Sequence, residues 1–497
     1  MLTPARLLTA LSFTLAVSAA AVKPVPPGLK GAWFDPSAAL VPDDTASTDT
    51  DTIVTTAQAV DQKTGATGEP DQPVAVTAVT AVDGTITDAG SVNSTASATR
   101  RWASPESYSP TVYKRSSTNY EQVFAGTGTG PNDRDGSIQG TAYLTYTLVD
   151  NSTYNVDACL AFCDSVTTCV FANLYYEFNN PGLDAAFSNL KCAVYSDTHT
   201  AAEKTNRGGQ QLAPLPAGLT FIQQSSGFSS ATLVDPTTPD GYELVFGPTN
   251  GANNAPGYMG FAFLDRYDVD ACAAQCNTRG ADGQGGACQY FNIWRAVVNG
   301  NPTTYTCSMY FIVADASTAV NTGQGDLQVT FSRGYARKNF VIDGGFEAFA
   351  ECNDFCFDTS SPNWIGTSPP GATDDATIFF FQPFAHQGNA VALLGSAVGQ
   401  DALAGTLTPR QPLATVAGKQ YSINFFQASS FSSPALEAPA FVDIVWNGQI
   451  VTTIRPGFTN FKFFSVTVTA AGNDVLAFHG GAAPAWSFID DITVFQQ

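Results

Sequence analysis

The chain has 497 residues, a formal net charge of −21 and only 13% charged residues. Such acidity repels a phosphate backbone or an anionic leaflet, both of which require clustered Lys and Arg, so no nucleic-acid partner is expected. The length corresponds to roughly three domains; the polar surface is supplied by Ser, Thr, Gly and Asn rather than by charge, as in extracellular proteins.

At the N-terminus, Arg6, the apolar run Leu7 to Val17 and the small residues Ser18 to Ala21 have the three regions of a secretory signal over residues 1–21. The run is too short to span a bilayer, and no later stretch reaches that length, so a secreted protein without a membrane span is expected. Residues 22–118 form an acidic Thr/Ala-rich leader without cysteine, whose composition predicts disorder over most of its length. Asn93-Ser-Thr is a sequon for N-linked sugar. The dibasic pairs Arg100-Arg101 and Lys114-Arg115 are either processing sites that would remove a pro-segment or ordinary linker charges.

Eight of the ten cysteines then form a pattern that occurs twice. Tyr154-Asn-Val-Asp-Ala-Cys159 and Cys163, Cys169 with Asn173, and Cys192 with Tyr195 return as Tyr267-Asp-Val-Asp-Ala-Cys272 and Cys276, Cys288 with Asn292, and Cys307 with Tyr310. Tyr120-Glu-Gln-Val-Phe124 likewise returns as Tyr242-Glu-Leu-Val-Phe246, so the unit is a duplicated domain, over residues 119–224 and 225–337. Cysteines four apart share one face of a helix, predicted over residues 156–166 with Asn155 or Asp157 as N-cap. Strands are predicted at 169–178 and 191–195. Asn151-Ser-Thr is a second sequon, in the turn before the helix. The second copy differs by a longer loop, Gly280 to Gly286, where a difference in partner is expected. Four cysteines per unit allow three pairings.

Residues 338–497 change to closely spaced strand-like runs, seven of which are predicted between Ala390 and Phe495. Trp446-Asn-Gly-Gln449 is a hairpin signal. The fold class is therefore multidomain: two small α+β disulfide-stapled domains followed by an all-β jelly-roll sandwich. Cys352 and Cys356 remain to close on each other if the upstream eight are paired among themselves.

The duplicated frame resembles the PAN/apple family, in which a helix with C-x-x-x-C precedes a strand opening C-x-[FY] and a later strand with C-x-x-Y. That resemblance implies pairings of Cys159 with Cys192, Cys163 with Cys169, Cys272 with Cys307 and Cys276 with Cys288, and a binding rather than catalytic module. The last unit resembles the CenC-like carbohydrate-binding modules, through Asn339-Phe-Val-Ile-Asp-Gly-Gly-Phe-Glu347, Trp364, Ala417 to Phe425 and Trp486-Ser-Phe-Ile-Asp-Asp-Ile-Thr-Val494. It implies a structural Ca²⁺ on Glu347 and Asp490, whose alternative is a pair of capping carboxylates, with Asp343 standing where that family usually has Asn. The whole arrangement also looks like the secreted fruit-body-specific proteins of mushroom-forming fungi.

Sugar-stacking rings are available at Phe379-Phe-Phe381, Phe384, Phe431, Trp446, Phe458 and Trp486, most of them expected in the core. No ligand-binding residue is assigned among them. No catalytic residue is expected either: His199, His386 and His479 stand in separate contexts, and the adjacent pairs Asp374-Asp375 and Asp490-Asp491 should point to opposite faces of a strand. Gly126 to Gly130 lacks the Lys-Ser/Thr and helix of a phosphate loop. The sequence thus predicts a secreted, non-catalytic protein of the cell wall or matrix that binds extracellular glycans and proteins. The alternatives are a glycan-active hydrolase with unrecognised catalytic groups and a structural matrix protein without a ligand.

Overall fold

The computed structural model describes residues 120–130, 133–180, 188–208, 220–230, 232–349 and 355–497, together with one leader strand, β1 (Thr77–Val79). The signal, Asn93, both dibasic pairs and Cys352 lie outside the described residues.

The first cysteine domain is a five-stranded sheet of β2 (Tyr120–Phe124), β3 (Tyr143–Val149), β4 (Phe171–Phe178), β5 (Leu190–Tyr195) and β6 (Phe221–Ser230), in the order β2-β6-β4-β5-β3. Helix α1 (Val156–Ser165) packs on it, capped by Asn155, whose side chain accepts from the Ala158 amide at 3.1 Å. Because β6 runs to Ser230, the first sheet extends past the expected boundary at 224/225. The repeat offset marks equivalent residues, not the end of a strand.

The second domain repeats the order with β7 (Tyr242–Thr249), β8 (Tyr258–Leu264), β9 (Tyr290–Val298), β10 (Asn301–Tyr310) and β11 (Leu327–Arg337), and α2 (Val269–Thr278). Its sheet gains β1, paired antiparallel to the edge of β8, so the leader is not wholly without structure. The four bridges form as the resemblance implies: Cys159–Cys192, Cys163–Cys169, Cys272–Cys307 and Cys276–Cys288. Each helix is thereby stapled to the middle of its sheet, and the longer loop of the second copy shows as a separation of 12 residues in the shorter bridge against 6 in the first.

The remaining motif residues of the repeat are also framework. Asn173 accepts from the Ile138 amide and donates to the Ser225 hydroxyl and the Ser226 carbonyl; Asn292 accepts from the Asn253 amide and donates to Ser332 and Arg333 in the same way. The Tyr154 hydroxyl sits between the carbonyls of Leu174 and Gln224, and that of Tyr267 between those of Ile293 and Phe331. A buried polar group without a partner is costly, so these residues tie the central strand to a bulge in the last one. Asn151 is exposed in the turn before α1.

Residues 355–497 form two packed sheets. One has six strands in the order β12 (Cys356–Asp358), β14 (Ala376–Phe380), β15 (Ala390–Leu394), β22 (Ser487–Gln496), β17 (Gln420–Ser429) and β20 (Thr459–Thr469). The other has five: β13 (Trp364–Thr367), β16 (Gly405–Pro409), β21 (Leu476–Gly480), β18 (Val442–Trp446) and β19 (Gln449–Ile454). The seven predicted runs are all strands, while β12, β13, β14 and β16 carried no alternation clear enough to read. The Asn447-Gly448 turn has the two positive φ angles, 52° and 76°, of a tight hairpin. Cys356 is disulfide-bonded. Between the sheets lie Trp364, Ile378, Ala392, Tyr421, Ile423, Phe425, Ile444, Trp446, Phe478 and Val494.

Polar joints link the three units. Asp197, 2% exposed, projects from the first domain to receive Arg295 Nε and Nη2 of the second at 2.6 and 2.7 Å and the Tyr305 hydroxyl at 2.5 Å. Arg337, at the end of the second domain, donates to the Gln496 carbonyl at 2.9 Å and lies over the Phe495 ring. The Gly280–Gly286 loop, where a difference in partner is expected, is exposed over most of its length and meets the sandwich at its last residue. Its Asp282 and Gly286 backbones bond each other, and Gly286, with φ 80°, lies so close to Phe426 and Phe463 that an added Cβ would stand 3.2 Å from both rings.

Candidate functional site

Strand alternation puts a second set of side chains on the outer face of the six-stranded sheet. Where Ile378, Ala392 and Ile489 point into the core, their neighbours Phe379, Val391, Leu393 and Phe488 point away from it. Over this base lie half-buried rings from the strand edges and loops: Phe355, Phe357, Phe384, Phe431, Phe461 and Trp486. Successive contacts make the layer continuous. Phe379 meets Phe355 at 5.2 Å, Phe355 meets Phe381 at 5.7 Å, Phe381 meets Phe384 at 5.0 Å, Phe384 meets Phe431 at 5.4 Å, and Phe431 meets Trp486 at 4.9 Å. Trp486 is fixed by its indole N–H, which donates to the Ser396 carbonyl at 2.9 Å.

The layer continues through His386, stacked on Phe426 at 3.8 Å and 5.2 Å from Phe461, until the second domain's Gly286 closes it at Phe426 and Phe463. By contrast, the outer face of the five-stranded sheet carries a polar row, Thr406, His479, Asp443 and Thr453, on successive paired strands.

The two carboxylates singled out in the sequence converge on the segment that carries His386. Glu347 Oε1 accepts the amides of Asn389 and Ala390 at 2.7 and 2.9 Å. Asp490, wholly buried, accepts the amides of His386 at 2.7 Å and Asp491 at 2.8 Å. Burial pushes the Asp490 carboxyl well above the usual range, with the Asp491 charge adding to the effect and the amide donors opposing it.

Asp491 does not point away from Asp490 as a regular strand would require. Its φ is 50°, and the pairing of β17 with β22 shifts register between Asn424 and Phe426, so the Asp491 carboxylate turns onto His386 Nδ1 at 2.6 Å. Both acidic residues therefore hold His386 in place above the aromatic layer. Asp343, with φ 58°, accepts from the Ala348 amide and the Asn363 side chain, and its carbonyl accepts from the Trp364 indole. Asp is among the few non-glycine residues that tolerate this left-handed conformation.

The donor set fits a hard cation. Glu347 and Asp490 would supply the oxygen ligands, and neither carboxylate takes part in an ion pair among the described residues. Of the rings named in the sequence, Phe379, Phe384, Phe431 and Trp486 belong to the outer layer, Trp446 is in the core, and Phe458 is 44% exposed at the entry to β20. Sequence reasoning missed Phe355, Phe357, Phe461 and the role of His386. The Phe355-x-Phe357 spacing was the available sign, since residues two apart on a strand share a face. His199 and His479 remain apart from this site, bonded to Glu203 and Thr406.

No protein-family model matches the chain, and no curated protein matches it. Among solved structures it is similar to the carbohydrate-binding module TmCBM61 in complex with β-1,4-galactotriose, at 18% identity over 32% of this chain and 99% of that one, with a TM-score of 0.23. It is also similar to a cyclase from Fischerella sp. TAU, at 16% identity over 32% of this chain and 95% of that one, TM-score 0.25. A CBM4 module is a third neighbour, at 14% identity over 32% of this chain and 99% of that one, TM-score 0.18. No helix of the described residues is long and apolar enough to cross a membrane.

Proposed function

We propose that the protein is a secreted, non-catalytic glycan-binding protein of the cell wall or extracellular matrix, with the sandwich as its binding unit. The observation that carries this reading is the continuous layer of half-buried rings on the outer face of the six-stranded sheet. Aromatic faces stack on the apolar faces of pyranose rings, and the flanking His386, Gln382 and Asn389 supply hydrogen bonds at its margin. The second domain closes one end of the layer at Phe463, so a bound chain lies over the Phe355 to Trp486 stretch. The paired cysteine domains are the PAN/apple-like part of this reading, scaffolds that hold the sandwich and offer surface for a second glycan or a protein.

A structural Ca²⁺ on Glu347 and Asp490 belongs to the same proposal. When bound it would neutralise the buried Asp490 charge and fasten the His386 to Ala390 segment. A thermal melt with and without chelator reads this directly: the calcium-dependent shift should vanish in Glu347→Gln.

The binding test uses the full chain. Affinity electrophoresis in gels containing laminarin, galactan, xylan or chitin should retard it in at least one, and Phe384→Ala with Phe431→Ala should abolish the retardation while the melting transition persists. Equal retardation of the double variant would remove the ring layer from the site. No retardation in any gel, or release of reducing sugar by the protein, would overturn the reading itself.

A further inference from the structure

The two cysteine domains present the same sheet edge, and one of the two is covered. In the second domain β1 lies antiparallel on β8, with Thr77 opposite Phe263, Ala78 opposite Ala262 and Val79 opposite Phe261. In the first, β3 ends the strand order, and no strand among the described residues pairs with its outer edge.

The bridged cysteines fix which residues correspond. On its inner side β8 sets Phe261, Ala262 and Phe263 opposite Ser308, Cys307 and Thr306, while β3 sets Tyr146, Thr147 and Leu148 opposite Ala193, Cys192 and Lys191. Each pairing also skips one residue at the same place, Met259 in β8 and Leu144 in β3. Residues 146–148 are therefore the counterpart of the stretch on which β1 lies. Residues 144–148 are half-buried, and β3 carries neither a charge nor a proline, the residues that ordinarily keep an open edge from pairing.

The course of the leader supplies an occupant. Because β1 runs antiparallel to β8, the chain upstream of Thr77 is directed past Phe263 towards Asp265. The Asp265 carbonyl accepts from the Ala142 amide at 2.6 Å, so that direction leads to the start of β3. Upstream, Thr52-Ile-Val-Thr-Thr56 is a run of β-branched residues without charge, the composition that suits a strand. The 20 residues 57–76 between it and β1 span about 25 Å as a flexible chain. The distance along the strand from Ala142 to Thr147 is about 16 Å, well within that reach.

We propose that residues 52–56 of the leader add as a strand to the outer edge of β3, as Thr77–Val79 does to β8. A strand laid on an edge occupies N–H and C=O groups that would otherwise pair with another chain, so the leader guards both cysteine domains against edge-to-edge association.

Hydrogen exchange read by mass spectrometry tests this on the full chain with its leader intact. The amides of residues 52–56 and the outward-facing amides of β3 should exchange about tenfold slower than in Val54→Pro, which removes a ladder donor. Protection of β8 should be the same in both. Ala78→Pro should do the converse, exposing the edge of β8 and sparing β3. Exchange of residues 52–56 at the rate of an unstructured peptide, or β3 exchange unchanged in Val54→Pro, would overturn the proposal. Protection of β3 that rises with protein concentration would also overturn it, by assigning the edge to a second copy of the chain. Exchange is read without sugar, so failure of the glycan reading leaves this result standing.

Discussion

The cysteine domains and the sandwich use their distinctive residues for opposite purposes. In the first two domains the repeated Cys, Asn and Tyr residues all turn inward, as bridges, buried amides and hydroxyls between carbonyls. In the sandwich an aliphatic and aromatic core suffices between the sheets, and the unusual residues collect on one outer face. Repetition in a sequence therefore marks what a small domain needs in order to stay folded. The face proposed to bind a ligand lies where no such requirement explains the residues.

Reduction should break this comparison most widely. Each long bridge, with a separation of 33 or 35 residues, contributes about 3–4 kcal/mol through the unfolded chain. Limited proteolysis under dithiothreitol should therefore cut within residues 120–337 while the 355–497 region stays protected, and simultaneous loss of both would show that the sandwich depends on its neighbours. The joint between the cysteine domains comes next. Asp197→Ala leaves Arg295 buried without its partner, which costs about 3–5 kcal/mol. Melting of the full chain should show the first two domains uncoupled, with the sandwich transition unmoved. On the sandwich itself, Phe431→Ala should weaken polysaccharide binding by roughly thirtyfold, the size of an anchor losing about 2 kcal/mol, while Thr406→Val on the polar outer face leaves it unchanged.

The parts legible in the sequence are those set by local chemistry or repetition. Asn155 as a helix cap, the Asn447-Gly448 hairpin and both cysteine frames follow from short-range patterns, and the seven predicted sandwich strands have alternation or β-branched content. The site was less legible for two reasons. Period-2 alternation in β14 and β15 is masked because both faces are buried, one by the core and the other by rings. The meeting of Asp490 and Asp491 at His386 depends on a left-handed residue and a register shift, which no spacing rule reveals. Glu347 and Asp490 do reach one segment, though they were paired through family resemblance and not through any pattern in the chain.

The smallest predicted effect concerns two buried carboxylates within the sandwich. Asp375 has no donor, whereas Asp474 is surrounded by them: the Thr415 hydroxyl and Asn447 amide at 2.5 Å and the amides of Ala471 and Gly472. Burial alone would raise the Asp474 carboxyl, but these donors outweigh it and hold its pKa below the ordinary value. A carboxyl depressed in the folded state stabilises the protein above its unfolded pKa, and that contribution disappears as pH falls through the folded value. Asp474→Asn should accordingly cost about 1–2 kcal/mol at pH 7 and flatten the loss of sandwich stability below about pH 4, in denaturant titrations at stepped pH. Asp375→Asn should do the reverse at neutral pH, raising stability, because burial holds the Asp375 carboxyl above its ordinary value. If both variants shift the acid limb alike, the donors around Asp474 are not what distinguishes the two sites.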